Sequence, residues 1–202
     1  MRSRYAVREE HHAHFVTSTI VEWLPVFITS ACCDLIVEAF DYCRKHKGLK
    51  LYGWVIMPNH FHAVVQSAAL SRVMADLKKF TARSLIEQLQ IERRDWLLDV
   101  LFKSRLPHKY ASTYQVWQEG FHPQALYSDE TIRQKLEYIQ NNPVRAGFVT
   151  TPEHWRYSSA HEQCEGTIPL IRSDDWCQVG HEDGNGVSEK ATVPKQSLGT
   201  RV

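Results

Sequence analysis

The chain has 202 residues, 43% of them hydrophobic, with six tryptophans, which is enough for one packed domain and a tail. Its formal net charge is only +1, which excludes a uniformly basic nucleic-acid coat, and no apolar run approaches the roughly 20 residues a bilayer span needs. Five cysteines without framework spacing and an N-terminus, "MRSRYAVREEHHAHF", with no apolar centre predict reduced thiols, no secretory signal, no membrane association and a cytoplasmic protein.

Taken in chain order, "HFVTSTI" (14–20) is rich in β-branched residues and predicts a strand. In "ACCDLIVEAFDYCRKHKG", Leu35, Ile36, Ala39, Phe40 and Cys43 recur at helical spacing. Thr29 or Ser30 is placed to cap that helix, and Gly48 to end it. "KLYGWVIM" and "HFHAVVQ" read as two strands joined at "PN", a hairpin. In "LSRVMADLKKFTARSLIEQL", Leu70, Val73, Met74, Leu77, Phe80 and Leu85 form an apolar stripe. Arg72, Asp76, Lys79 and Arg83 fall opposite, which predicts a long amphipathic helix.

"RRDWLLDVLFKSRLPHKY" predicts a short helix and a basic loop, and "TYQVWQEG" a further strand. "SDETIRQKLEYIQNNP" predicts a helix capped by Ser128, with Asp129 and Glu130 in its first turn and Pro143 as its stop. Beyond Ser159 the patterning thins, so the expected division is a domain over 1–160 and a partly flexible C-terminal extension over 161–202. The order strand–helix–strand–strand–helix–strand–helix predicts an α+β, ferredoxin-like antiparallel sheet. Two crossover helices lie on one face, and the other face is open to the last helix or a ligand.

The small net charge hides an uneven distribution. Residues 71–110 carry nine Lys/Arg against five Asp/Glu, whereas residues 161–202 carry four against seven. Arg72, Lys79 and Arg83 form one candidate nucleic-acid face. Arg93, Arg94, Lys103, Arg105, His108 and Lys109, interleaved with Trp96 and Tyr110, form a second. Each also reads as a solvated helix face or a charged loop. Arg145 in "NPVRAG" is a candidate phosphate contact or an ordinary helix-end arginine.

Residues two apart in a strand point the same way, roughly 6–7 Å apart. His60 and His62 therefore share a face with Val64 and Gln66, while Phe61, Ala63 and Val65 face the opposite side. The pair can grip one metal ion or stand as two half-exposed strand histidines. On the last predicted helix, Ile132, Leu136 and Ile139 form the buried stripe at about 100° per residue. Tyr138 lies off that stripe beside Gln134 and Asn142, so the core does not need it. His161, Cys164, Cys177 and His181 have spacings a zinc site can use, but nothing orders them together. His11, His12 and His14 read as N-terminal surface and strand residues, and Trp117 and Trp155 as core anchors.

"MPNHFHAVV", "VWQEGFHPQAL", "LEYIQNNPVRAGFV" and "HWRYSSA", in that order over residues 14–160, resemble the single-tyrosine HUH transposases. They resemble in particular the REP-associated tyrosine transposases and their IS200-like relatives. The resemblance implies a ferredoxin-like fold. It implies that His60 and His62 are a metal-binding pair, that Tyr138 is the nucleophile, and that Asn142 is a third metal ligand. It also implies Mg²⁺ or Mn²⁺ as the ion, although imidazole alone suits zinc or copper better.

The implied activity is cleavage and rejoining of single-stranded DNA near hairpins through a covalent 5′-phosphotyrosine. The implied partner is single-stranded or hairpin DNA. Insertion-sequence relatives act as dimers and the REP-associated branch resembles monomers, so either a monomer or a homodimer is implied. Two other readings stand beside it. One is a binder of palindromic DNA or RNA that does not cut. The other is a zinc hydrolase on His60 and His62, with a third ligand, a water nucleophile and a dispensable Tyr138.

Overall fold

The computed structural model describes residues 12–107, 112–163 and Asp174. The strands are β1 (Ala13–Thr19), β2 (Lys50–Met57), β3 (His60–Gln66) and β4 (Gln124–Leu126). They form one sheet in the order β2-β3-β1-β4, with every pairing antiparallel. That is the ferredoxin-like arrangement. The helices are α1 (Ser30–Lys47), α2 (Leu70–Ile91), α3 (Asp95–Lys103) and α4 (Asp129–Arg145).

The alternation of β3 divides the interior into two cores. Phe61, Ala63 and Val65 are packed with residues of α1, α2 and α3 on one face. Val64 joins Val55 and Met57 of β2 and Ile132 and Ile139 of α4 on the other. One strand thus contributes to two separate hydrophobic layers because its side chains point to opposite faces.

Local chemistry explains the element ends. The Thr29 hydroxyl accepts from Cys32 N at the start of α1, and Gly48, with φ 63, ends that helix in the left-handed region open to glycine. Ser128 and Thr131 form a reciprocal capping box at the start of α4. The outer edge of β2 is covered by the segment after α4. Ile56 N donates to Tyr157 O at 2.8 Å, Trp54 N to Ser159 Oγ at 3.1 Å, and the Trp155 indole to Ile56 O at 2.9 Å. These bonds occupy ladder groups that an edge strand otherwise leaves open.

Asp174 is held against the same strand. Its carboxylate accepts from the Arg44 guanidinium at 2.7 and 3.2 Å and from Leu51 N at 2.7 Å, while its own amide donates to Leu51 O at 2.7 Å. Burial alone would raise its pKa, but the Arg44 and Leu51 bonds outweigh burial and hold it below the usual carboxylate range.

Three expectations are corrected. "TYQVWQEG" is not a strand of the sheet. Gln118 N donates to Thr19 O and Val21 N to Val116 O, so the segment extends the end of β1, and Trp117 makes only an isolated bridge to Ile20. The fourth strand is the later, three-residue "QAL". Pro143 does not stop α4. It lies buried inside the helix, which runs two residues further before Ala146 N and Gly147 N bond back to Asn142 O and Val144 O. Phe80 is exposed, because the buried line on α2 runs Leu77, Thr81, Leu85 and Leu89. Thr81 takes the inward place, and its hydroxyl donates to Leu77 O at 2.8 Å.

Candidate active site

Register carries the site across the sheet. Thr17 of β1 lies opposite His62, and Thr19 opposite His60. The two imidazoles sit 4.6 Å apart, centroid to centroid, on the face that α4 covers. The helix can lie that close because β2 has Gly53 beneath it. A β-carbon there would overlap the side chain of Leu136, one turn before Ile139.

Each histidine has its Nδ1 engaged. The Asn59 amide nitrogen donates to Trp23 O at 3.2 Å, so its oxygen is the atom facing His60 Nδ1, at 2.6 Å. An oxygen of that kind only accepts. His60 must therefore carry its proton on Nδ1 and leave Nε2 as a bare lone pair. His62 Nδ1 lies 2.8 Å from Thr17 Oγ1. Burial lowers the pKa of His60. Burial, then His60 and then Lys135 push His62 down to about 3. Both rings are accordingly neutral at neutral pH, which is the form that ligates a metal.

α4 brings the tyrosine to this pair. The Tyr138 ring lies 5.5 Å from His62 and 5.9 Å from Phe15. Phe15 in turn stacks on His62 at 5.2 Å. Tyr138 is 37% exposed, open to solvent on its free side. Two cations flank it. The Arg145 guanidinium is 5.6 Å from its ring centroid, and Lys135 Nζ is 4.7 Å from the Phe15 ring and 5.9 Å from that of Tyr138. Both therefore put positive charge beside the Tyr138 ring.

Asn142 is half-buried on α4, one turn beyond Tyr138 and on the same side of the helix. Among the described residues, no three His, Cys, Asp or Glu side chains gather as a metal cluster. Beside His60, at 6.2 Å between ring centroids, stands Trp23. Trp23 and its neighbour Glu22 both have φ 52. That left-handed backbone costs of the order of 1–3 kcal/mol per residue for side chains other than glycine.

The basic residues separate into groups. Arg72, Lys79 and Arg83 are exposed on α2, across the sheet from Tyr138, and Arg83 pairs with Glu87. Arg93 is exposed with φ 53. Lys103 pairs with Asp99, and Arg105 donates to Ser112 O. Arg94 is turned inward, its guanidinium donating to the carbonyls of Pro25 and Val26, so its charge serves the fold. His108, Lys109 and Tyr110 lie outside the described residues. Among the described residues, Arg145 alone of the proposed cations reaches the tyrosine.

Of the other candidates, Trp117 is buried and its indole donates to Lys78 O, and Trp155 is half-buried. His14 is buried in β1 with Nδ1 2.9 Å from His12 O, and His11 lies outside the described residues. His161 Nδ1 is 2.7 Å from Glu153 O, and Cys164, Cys177 and His181 lie outside the described residues. Cys32, Cys33 and Cys43 are buried free thiols. Burial raises all three, Cys33 to about 12, which keeps them protonated and unreactive.

Sequence reading did not place Phe15, Thr17, Asn59 or Trp23 in the site. Phe15 and Thr17 share a β1 face by the same alternation that pairs His60 with His62. Their partner strand could not be read without the register.

The sequence profile of the family described as "Transposase IS200 like" matches residues 8–106. A Haemophilus influenzae protein described as a REP-associated tyrosine transposase is 25% identical over 139 residues, 69% of this chain and 73% of that protein. The REP-associated tyrosine transposase of Escherichia coli K12 is 20% identical over 144 residues, 71% of this chain and 72% of that protein. A solved structure of a REP-associated tyrosine transposase bound to a REP hairpin superposes with a TM-score of 0.54 at 18% identity. The match covers 94% of this chain and 99% of that one, and it supports the fold. The chain is thus similar to the IS200-like transposases over residues 8–106, and to the REP-associated tyrosine transposases over 69% and 71% of its length.

Proposed function

We propose that the protein is a metal-dependent strand transferase that cuts and rejoins single-stranded DNA beside a hairpin, with Tyr138 as nucleophile. The observation that carries this reading is the juxtaposition of Tyr138 on α4 with His62 on β3, 5.5 Å between rings. A pair of neutral imidazoles, His62 buried and His60 half-buried, and an exposed phenol have no shared structural task. Together they have the parts of a phosphodiester transfer.

His60, His62 and Asn142 would hold a divalent ion, Mg²⁺ or Mn²⁺. The donor set fits, because the His60 hydrogen bond leaves Nε2 free and burial keeps both rings unprotonated. When bound, such an ion stabilises the negative charge that builds on the phosphate oxygens during in-line displacement. The remaining work falls to the chain. Arg145 and Lys135 hold the phosphate beside the phenol. The Tyr138 oxygen forms a bond to phosphorus, the bond from phosphorus to the 3′ oxygen breaks, and that oxygen leaves as a 3′-hydroxyl. The 5′-phosphotyrosine keeps the energy of the diester, so reversal by a 3′-hydroxyl rejoins the strand without ATP.

The test is incubation with labelled hairpins carrying single-stranded flanks, with Mg²⁺ or Mn²⁺, followed by a denaturing gel. A covalent protein–DNA band that disappears in Tyr138→Phe is expected. Tight hairpin binding by the wild-type chain without any such band, in either metal, would instead identify a non-cleaving hairpin binder.

A further inference from the structure

We propose that Trp23 is a nucleobase-stacking residue, whose indole receives a base of the single strand that passes His60 on its way to Tyr138. The inference rests on the reading above and adds to it a binding subsite and its ligand.

Trp23 is 60% exposed, yet the chain around it is firmly anchored. Val21 and Leu24 on either side are buried. Val21 N donates to Val116 O, Trp23 N to Ile20 O and Leu24 N to Val21 O. The Trp23 carbonyl accepts the Asn59 amide that also orients His60. Glu22 and Trp23 both sit in the left-handed backbone region at φ 52, a conformation that a bulky side chain rarely adopts. The fold thus holds a large apolar ring out at the rim of the site on strained backbone. Strain of this kind concentrates at functional sites.

The rings neighbour one another in succession. From Trp23 to His60 is 6.2 Å, from His60 to His62 4.6 Å, and from His62 to Tyr138 5.5 Å. A strand whose phosphate lies at Tyr138 and that runs past the histidines therefore brings a nucleotide within a few positions of that phosphate to Trp23. Charge decides which part of that nucleotide the residue meets. The cations Arg145 and Lys135 are at the tyrosine end, whereas the exposed neighbour of Trp23 is the acidic Glu22. Phosphate is attracted to the first end and repelled at the second, leaving the base face for the indole. The bases of a duplex are already stacked on one another, so the ligand is an unpaired base in the flank and not the hairpin stem.

The test measures binding of hairpins in which each flank nucleotide in turn is abasic, using Tyr138→Phe protein so that no strand is cut. One flank position is expected to weaken binding roughly tenfold when its base is removed. In the Trp23→Ala, Tyr138→Phe protein the same abasic change is expected to have no further effect, and Trp23→Phe is expected to keep most of the affinity. Tyr42→Ala, an exposed aromatic on α1 across the sheet, is the comparison expected to leave the abasic profile unchanged. Fluorescence gives a second readout. The emission lost in Trp23→Phe is expected to be quenched by a flanked hairpin and not by a blunt one.

If wild type forms the covalent adduct while the Trp23 and Trp23→Ala profiles are the same, the stacking role is overturned and the function stands. If wild type neither binds nor joins any hairpin, both are overturned.

Discussion

The side chain of Leu136 occupies the space that a β-carbon on Gly53 would need. This contact sets the distance between α4 and β2. Because Tyr138 is two residues beyond Leu136 on the same helix, it also sets how close the phenol comes to the histidines.

Gly53→Val is therefore expected to destabilise the protein by about 1–3 kcal/mol, the range for forcing extra atoms into a filled site. It is expected to reduce adduct formation while leaving the β1–β3 pairing intact. Urea denaturation and the hairpin adduct assay measure the two effects. Leu136→Ala introduced with Gly53→Ala should cost less than the sum of the single changes, since the first vacates the space that the second fills. Strict additivity would show that the two side chains do not compete.

Tyr138→Phe is expected to abolish the covalent band, with a stability change within about 0.5 kcal/mol, because the residue is 37% exposed and the ring contacts remain. Hairpin binding should persist. A band of undiminished strength would remove Tyr138 from the mechanism.

Asn59 fixes the His60 tautomer through its oxygen, so Asn59→Ala is expected to weaken Mn²⁺ binding about 10–100-fold, as loss of a ligand's hydrogen-bond partner does elsewhere. Asn59→Asp keeps an acceptor facing Nδ1 and should bind more tightly than Asn59→Ala. Calorimetric titration of metal into the DNA-free protein reads this directly. Equal affinities for the two variants would refute the tautomer argument.

The metal-free protein should lose stability in mild acid. His62 has a folded pKa lowered to about 3, against an ordinary value of 6.5, because burial disfavours its charged form. Between those values the unfolded chain binds a proton that the folded chain does not. The stability His62 allows is complete above pH 6.5 and falls as pH drops below it, by at most about 1.4 kcal/mol per pH unit. His60, lowered by burial, acts with the same sign. Urea midpoints measured with chelator at pH 7.5, 6 and 5 should fall more steeply for wild type than for His62→Asn. Parallel slopes would contradict the buried, neutral state.

Much of the fold was legible because its periodicities are strong. The ends of β2 and β3 fall at the predicted residues, and Thr29 and Gly48 cap α1 as their chemistry requires. β4 was missed because three residues carry no period, whereas "TYQVWQEG" has strand-like composition and serves to lengthen the end of β1. The facing of His60 and His62 followed from alternation alone. What surrounds them did not, because it comes from β1 by register and from the strained turn at Glu22 and Trp23, and side-chain type announces neither. The basic face of α2 was read correctly as a face. Its position across the sheet from Tyr138 depends on which layer each helix joins.

The two-sided use of β3 has a further effect. Were the strand to slip by one residue against β1, Phe61 would turn out toward α4, and both imidazoles would be driven into the apolar layer beneath α1 and α2. Such a molecule would be poorly packed and would also lack a metal site. For the proposed strand transferase, this is a built-in interlock, since a copy that folds in the wrong register is chemically silent.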